Sequence, residues 1–262
     1  MNLAESWEAE ASQWIRWARR PGHDSYWRYH RDQFLNLLPS PGRLTVDIGC
    51  GEGRLTRHLK ELGHRIIGVD ASPSLVAAAR GSDPSMDIRI ADAAALPFDD
   101  ASADLAIAFM SLHDTDALAH TIGEIARILA PEGRLCFAIV HPLNSAGHFE
   151  RETADAPFVI EGEYLRPFRY SETVEEDGLT MTFHSEHRPF AAYFSALEEA
   201  GLLVEAARNR HSGACLSVSS EPPMAAPPAL PPRSRAASVS ARHGVAWSSR
   251  FAAQTRVRVE DA

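Results

Sequence analysis

The 262-residue sequence has only three cysteines, Cys50, Cys136 and Cys215, a single lysine, Lys60, and no long uninterrupted apolar run. Cysteines this far apart, with no C-x-x-C pair, exclude a disulfide framework and leave no His/Cys cluster at metal-ligand spacing, so no metal is expected. No stretch approaches the ~20 apolar residues of a membrane span. The opening "MNLAESWEAEASQW" also lacks a basic segment followed by an apolar one, so the expectation is a cytoplasmic protein with no membrane partner. Excess positive charge is missing too. A net charge of −9 argues against a surface built for phosphate backbones, and nucleic acid is not an expected partner.

What is present is an aromatic start and a long alternating middle. Trp7, Trp14, Trp17, Trp27, Tyr26, Tyr29 and Phe34 fall within the first forty residues. Their spacing predicts two short helices, from Trp7 to Trp17 and from Tyr26 to Leu38, broken at Pro21-Gly22, with Asp24 or Ser25 capping the second. From Leu44 onward, β-rich runs such as "RLTVDIG", "HRIIGVD" and "ADLAIAFM" alternate with segments of helical spacing. That alternation predicts an α/β fold, a doubly wound and mostly parallel sheet with helices on both faces. After "HPLN" two strands joined at Asp177-Gly178 predict a β-hairpin lid, and Pro189 opens a returning helix followed by "LLVEAAR" as a strand. Residues 211–262 carry six of the seventeen prolines and six arginines against three acidic residues, and read as a divergent, flexible tail. "ACLSVS" and "TRVRVE" are the stretches there with strand character. The expected layout is an amino-terminal helical cap over 1–40, an α/β core over 41–141, a lid over 142–190, a returning helix and strand over 191–210, and the tail.

In "VDIGCGEGR" the glycines fall at Gly49, Gly51 and Gly53, directly after a strand containing Asp47. Small residues let the backbone turn sharply and a ligand lie against it at the start of a helix. A dinucleotide site prefers G-x-G-x-x-G, and Arg54 occupies the place of that last glycine. Asp47 beside the loop suits a ligand carrying an ammonium group and repels a pyrophosphate. Asp70, at the end of the next strand, is placed to accept both hydroxyls of a ribose, a feature that nicotinamide and other adenosine cofactors share.

The ordered set "VDIGCGEG", "GVDAS", "ADAAALPFDDASADLAIA" and "EIARILAPEGRL" resembles the class I, seven-stranded, Rossmann-like S-adenosylmethionine-dependent methyltransferases from Leu44 to about Val140, and more weakly from His187 to Arg208. The resemblance implies S-adenosylmethionine as cofactor. It implies Asp47 and the backbone of Gly49, Cys50 and Gly51 around its methionine portion, and Asp70 on the ribose with Ala71 beside the adenine. Asp92 and Ala93 would meet the adenine edge, and Met110 would lie near the sulfonium. Members of this family usually finish with an antiparallel strand inserted between the fifth and sixth core strands. Here the tail composition leaves that strand uncertain.

The reaction implied is methyl transfer, in which a protein mainly aligns the partners and excludes water. Where an acceptor must lose a proton, a histidine or carboxylate near the transferred methyl could take it: His113 and Asp114, just past the fourth core strand, and His141, just past the fifth, are the candidates, with Asp114 also fitting a helix cap. Tyr26, Tyr29, Tyr164, Phe168, Tyr170, Phe183 and His184 are the candidate substrate-pocket residues. An aromatic enclosure of this kind suits a small, partly apolar acceptor. Two other readings share part of the pattern: a cofactor-binding module without catalysis, and an NAD-type oxidoreductase.

Overall fold

The computed structural model describes residues 2–151, 156–162, 164–210 and 213–219. Helix α1 (Leu3–Arg19) opens on a capping box, with Asn2 and Glu5 exchanging hydrogen bonds. It is followed by a π-helical turn at Tyr26–His30 and the short α2 (Arg31–Leu35). The second expected helix is therefore broken in two. Asp24 does act at its start, accepting from Tyr26 N at 2.9 Å.

The core then alternates through β1 (Thr45–Ile48), α3 (Arg54–Glu61), β2 (Ile66–Asp70), α4 (Pro73–Ser82), β3 (Asp87–Ile90), β4 (Ala103–Phe109), α5 (Leu118–Ile128) and β5 (Leu129–Val140). A short α6 (Leu143–Ala146) leads to two antiparallel pairs, β6 (Gly147–Phe149) with β7 (Phe158–Ile160), and β8 (Phe168–Glu176) with β9 (Leu179–His187). The second pair turns at Asp177 and Gly178, both at positive φ, as an Asp-Gly hairpin requires. Helix α7 (Phe190–Glu199), β10 (Leu203–Arg210) and β11 (Gly213–Ser219) complete the described chain, with Pro189 as the residue before α7 rather than its first.

Seven strands form one sheet in the order β10-β11-β5-β4-β1-β2-β3. The five from β3 to β5 run parallel. β11 runs antiparallel to both of its neighbours. This corrects the expectation that composition change leaves the last strand in doubt. "GACLSVS" inserts between β5 and β10, placing Leu216 and Val218 in the core, so the sheet continues past residue 211. The expectations for "TRVRVE" and for the Pro/Ser/Arg/Ala stretch fall on residues 220–262, outside the described residues.

Alternation along β4 divides the core. Ala106 and Ala108 face α5 and α7, whose Ile122, Ile125 and Leu197 close one side, while Leu105, Ile107 and Phe109 face Leu55 and Leu59 of α3 with Tyr26 and Phe34. Two-residue periodicity in a sheet covered on both faces requires apolar residues at nearly every position, and β4 reads "ADLAIAF". The chain leaves β1 toward β2 on one side and β4 leads to β5 on the other. That reversal opens a crevice at the carboxyl ends of β1 and β4, where ligands enter such sheets.

Candidate functional site

At the end of β1 the backbone bends through Gly49, Gly51 and Gly53, with φ of 69°, 56° and 81°. Space as well as φ requires glycine at the first of these. A Cβ on Gly49 would stand 2.5 Å from the Cβ of Ser111, whose hydroxyl donates to Ile48 O at 2.7 Å. Four of the loop's own N–H groups are already engaged. Gly49 and Cys50 both donate to Val69 O, at 2.9 and 3.0 Å, and Gly53 donates to Cys50 O at 3.0 Å. Gly51 donates to Asp70 Oδ2 at 2.8 Å. A pyrophosphate clamp needs such groups free to point at the anion, and this loop spends them holding itself and Asp70 in place.

Against the loop lies a cavity of about 520 Å³, within the usual range for a small-molecule site. Gly49, Gly51 and Met110 line it at the sheet edge, and Asp70, Ala71, Asp92 and Ala93 line it along the ends of β2 and β3. Asp70 Oδ1 also accepts from Ser72 N at 2.9 Å, so both carboxyl oxygens are fixed in direction while keeping lone pairs for a ligand. Asp47 and Cys50 do not line the cavity. Asp47 is buried beneath the loop, where it accepts from Thr56 Oγ1 at 2.6 Å, and burial raises its carboxyl to about 6. Cys50 packs with Val76, Ala79 and Ile88 under α4.

The roof comes from α1 and the β8–β9 hairpin. Trp7 and Trp14, one heptad apart, share the face of α1 that looks into the cavity. Trp7 Nε1 donates to His184 O at 3.2 Å, and Phe183 meets Trp7, Trp14 and Trp17 edge to face at 6.5, 6.2 and 6.0 Å. Arg54, at the start of α3, reaches under this roof. Its guanidinium lies 4.9 Å from the Trp14 ring centre, and it pairs with buried Asp24 at 2.8 Å. Spacing alone carried the signal for Trp7 and Trp14, since residues seven apart share a helix face. Neither is among the substrate-pocket candidates that the sequence offers.

Register decides which lid residues enter. Tyr170 pairs with Ser185 and Glu172 with Phe183, and these four line the cavity. His184 points to the other face, where its Nδ1 meets Ser171 Oγ at 2.7 Å. Phe168 stacks on His187 at 4.6 Å, Tyr164 gives its carbonyl to His187 Nε2 at 2.8 Å, and neither lines the cavity. The cap tyrosines are also corrected. Tyr26 is fully buried with its hydroxyl on His58 Nδ1 at 2.7 Å, and Tyr29 lies on the surface.

The candidate histidines separate as well. His141 accepts from Leu143 N at 3.2 Å and packs edge-on against Phe190 outside the cavity, so it holds a turn. His113 does line the cavity, within a 3-10 turn at Leu112–Asp114. Burial, aided by the Arg188 charge, pushes its imidazole down to about 3, too weak a base for neutral pH. Asp114 beside it caps no helix. It accepts from Ser185 Oγ at 2.6 Å and lies 3.6 Å from His113 Nε2. Burial pushes its carboxyl up to about 8 despite the Ser185 hydrogen bond and the Arg188 charge.

That shift has a sign. Between pH 4 and 8 the folded chain holds a proton on Asp114 that the unfolded chain releases, so the residue costs stability as pH rises, by up to about 1.4 kcal/mol per pH unit. Asp114→Asn is expected to flatten this loss. Urea unfolding at pH 5 and pH 8 checks it: the variant should gain on the parent chain as pH rises, and a constant difference contradicts the assignment.

Comparison with known proteins places this geometry in a family context. Residues 46–137 match the family model described as "Methyltransferase domain". An uncharacterized methyltransferase of Mycobacterium tuberculosis is 36% identical over 99 residues, covering 38% of this chain and 40% of that protein. One from Synechocystis is 33% identical over 139 residues, covering 48% and 66% respectively. The chain thus spans less than two thirds of the length of these curated relatives. Among solved structures, an S-adenosylmethionine-dependent methyltransferase from Mesorhizobium loti superposes with a TM-score of 0.59 at 22% identity, covering 72% of this chain and 96% of that one. At this identity the likeness is one of fold.

Proposed function

We propose that this chain, whose residues 46–137 match a methyltransferase domain and whose fold is class I and Rossmann-like, binds S-adenosylmethionine and methylates a small, partly apolar acceptor. The observation that carries the reading is a single cavity lined on one side by Gly49, Gly51, Asp70 and Asp92 and on the other by His113, Asp114, Tyr170 and Phe183. One ligand on the first side and another on the second meet near Met110.

The residues present fit the cofactor. Asp70 would hold the ribose hydroxyls, Ala71 and Ala93 would flank the adenine, and Asp92 would accept from its amine. The glycine loop leaves room for the methionine portion, and its engaged N–H groups favour a cationic ligand over a pyrophosphate. When bound, the cofactor supplies a methyl group already activated on a sulfonium. The chain's contribution is alignment and exclusion of water, and the roof of Trp7, Trp14 and Phe183 supplies both. Transfer of labelled methyl from the cofactor to extracts of small molecules tests the reading. Label appearing in a low-mass, partly apolar product supports it; cofactor bound with no acceptor ever labelled favours a binding module instead.

A further inference from the structure

The acceptor side of the cavity has an uneven charge. Asp114 and Glu172 bring carboxyl groups from two different elements, the turn after β4 and strand β8, and Ser185 adds a hydroxyl that donates to Asp114. Glu172 makes no ion pair among the described residues. Cations are scarce on the same wall. Among the described residues, Arg54 is the one arginine or lysine lining the cavity, and its guanidinium lies against the Trp14 ring, paired with Asp24. Arg188, behind the wall, is committed to Thr115 O at 2.6 Å and Glu186 Oε2 at 2.7 Å, and Arg169 is paired with Asp116. A carboxylate or phosphate acceptor would meet the Glu172 carboxylate with no free lysine or arginine to answer it, whereas an ammonium group would be attracted to Glu172 and would favour the charged form of Asp114.

We propose, building on the methyltransferase reading, that the acceptor is a small amine with an apolar, aromatic-compatible body, its nitrogen held between Asp114 and Glu172 and its proton passed to the Asp114 carboxylate. Phe183 and the tryptophans above it receive the body. Proton balance is simple. An ammonium has no lone pair to offer, so one N–H bond must break before reaction, its electrons staying on nitrogen while the proton becomes the carboxyl proton of Asp114. His113, Arg188, Tyr170 and Tyr193 are the titratable or charged groups facing Asp114 from its own turn, the end of β9, β8 and α7. His113 is held neutral by burial and the two tyrosines are raised by burial, so near neutral pH the exchange of a proton falls to Asp114.

Calorimetric titration of the full chain with arylalkylamines of one to four methylenes, beside the matching alcohols and carboxylates, tests this without turnover. Amines should bind at least about tenfold more tightly than either isostere. Binding at pH 7, measured in two buffers of different ionisation enthalpy, should release ~0.9 proton per amine, because the carboxyl raised to about 8 gives up its proton to pair with the ammonium. Asp114→Asn should abolish the release and weaken amine binding at least about tenfold, and exposed Glu172→Gln should weaken it about threefold without touching the release. Alcohols or carboxylates binding as well as amines, no amine binding, or release that survives in Asp114→Asn would overturn the proposal. S-adenosylmethionine titrated into the same samples separates the two failures. If it binds while amines do not, only the acceptor class is wrong; if it does not bind, the methyltransferase reading fails.

Discussion

Asp70→Ala is expected to raise the Kd for S-adenosylmethionine about a hundredfold or more, equivalent to ~3 kcal/mol, the scale for losing charge-assisted hydrogen bonds in an enclosed site. Two effects combine in that number. The carboxylate is the group placed to accept ribose hydroxyls, and it also holds Gly51 N at 2.8 Å and Ser72 N at 2.9 Å, so the glycine loop and the start of α4 lose their common anchor. Asp70→Asn separates them. Its amide oxygen keeps one acceptor for the backbone while the charge is lost, and a rise of about tenfold in Kd is expected. Isothermal titration of parent and both variants checks the order. Equal affinities in all three would remove Asp70 from the cofactor site.

The second large effect is on stability. Arg188 is buried at 6% exposure where the hairpin returns to the core. Its guanidinium donates to Thr115 O at 2.6 Å and to Glu186 at 2.7 Å, and reaches Leu112 O and His113 O at 3.5 Å. One side chain thus ties the lid to the turn that carries His113 and Asp114. Arg188→Leu keeps much of the volume but leaves Glu186 unpaired and buried carbonyls without a donor, so a loss of about 3–5 kcal/mol is expected. For a chain of this size that corresponds to a fall in Tm of about 10 °C. Arg188→Lys, which keeps the charge but not the planar fork, should fall between. Thermal unfolding followed by circular dichroism gives the answer, and a shift below about 2 °C for the leucine variant would show that the tie is weak.

Particular residues show why some of this was legible in the sequence. The parallel core announced itself because a sheet covered on both faces needs runs such as "ADLAIAF", and the glycine spacing and Asp70 follow from local backbone demands that one stretch of chain expresses alone. The hairpin turn was readable for the same reason, since Asp177 and Gly178 meet a φ requirement. What failed depended on contacts between distant segments. Tyr26 reads as a pocket aromatic until the packing of Phe34, His58 and Phe109 around it is known. Asp114 reads as a cap because the partner that redefines it, Ser185, lies seventy-one residues away. β11 was obscured by the composition of the residues that follow it, although its own seven residues alternate as a strand should, with Leu216 and Val218 inward.

The central claim is that the cavity beside the glycine loop holds S-adenosylmethionine. Calorimetric titration of the full chain with S-adenosylmethionine, its demethylated product and NAD tests it most directly. The account predicts one site per chain for the first two, both weakened about a hundredfold or more in Asp70→Ala, and no heat with NAD. Binding of NAD in preference to both, or no binding of either adenosyl ligand, would contradict it.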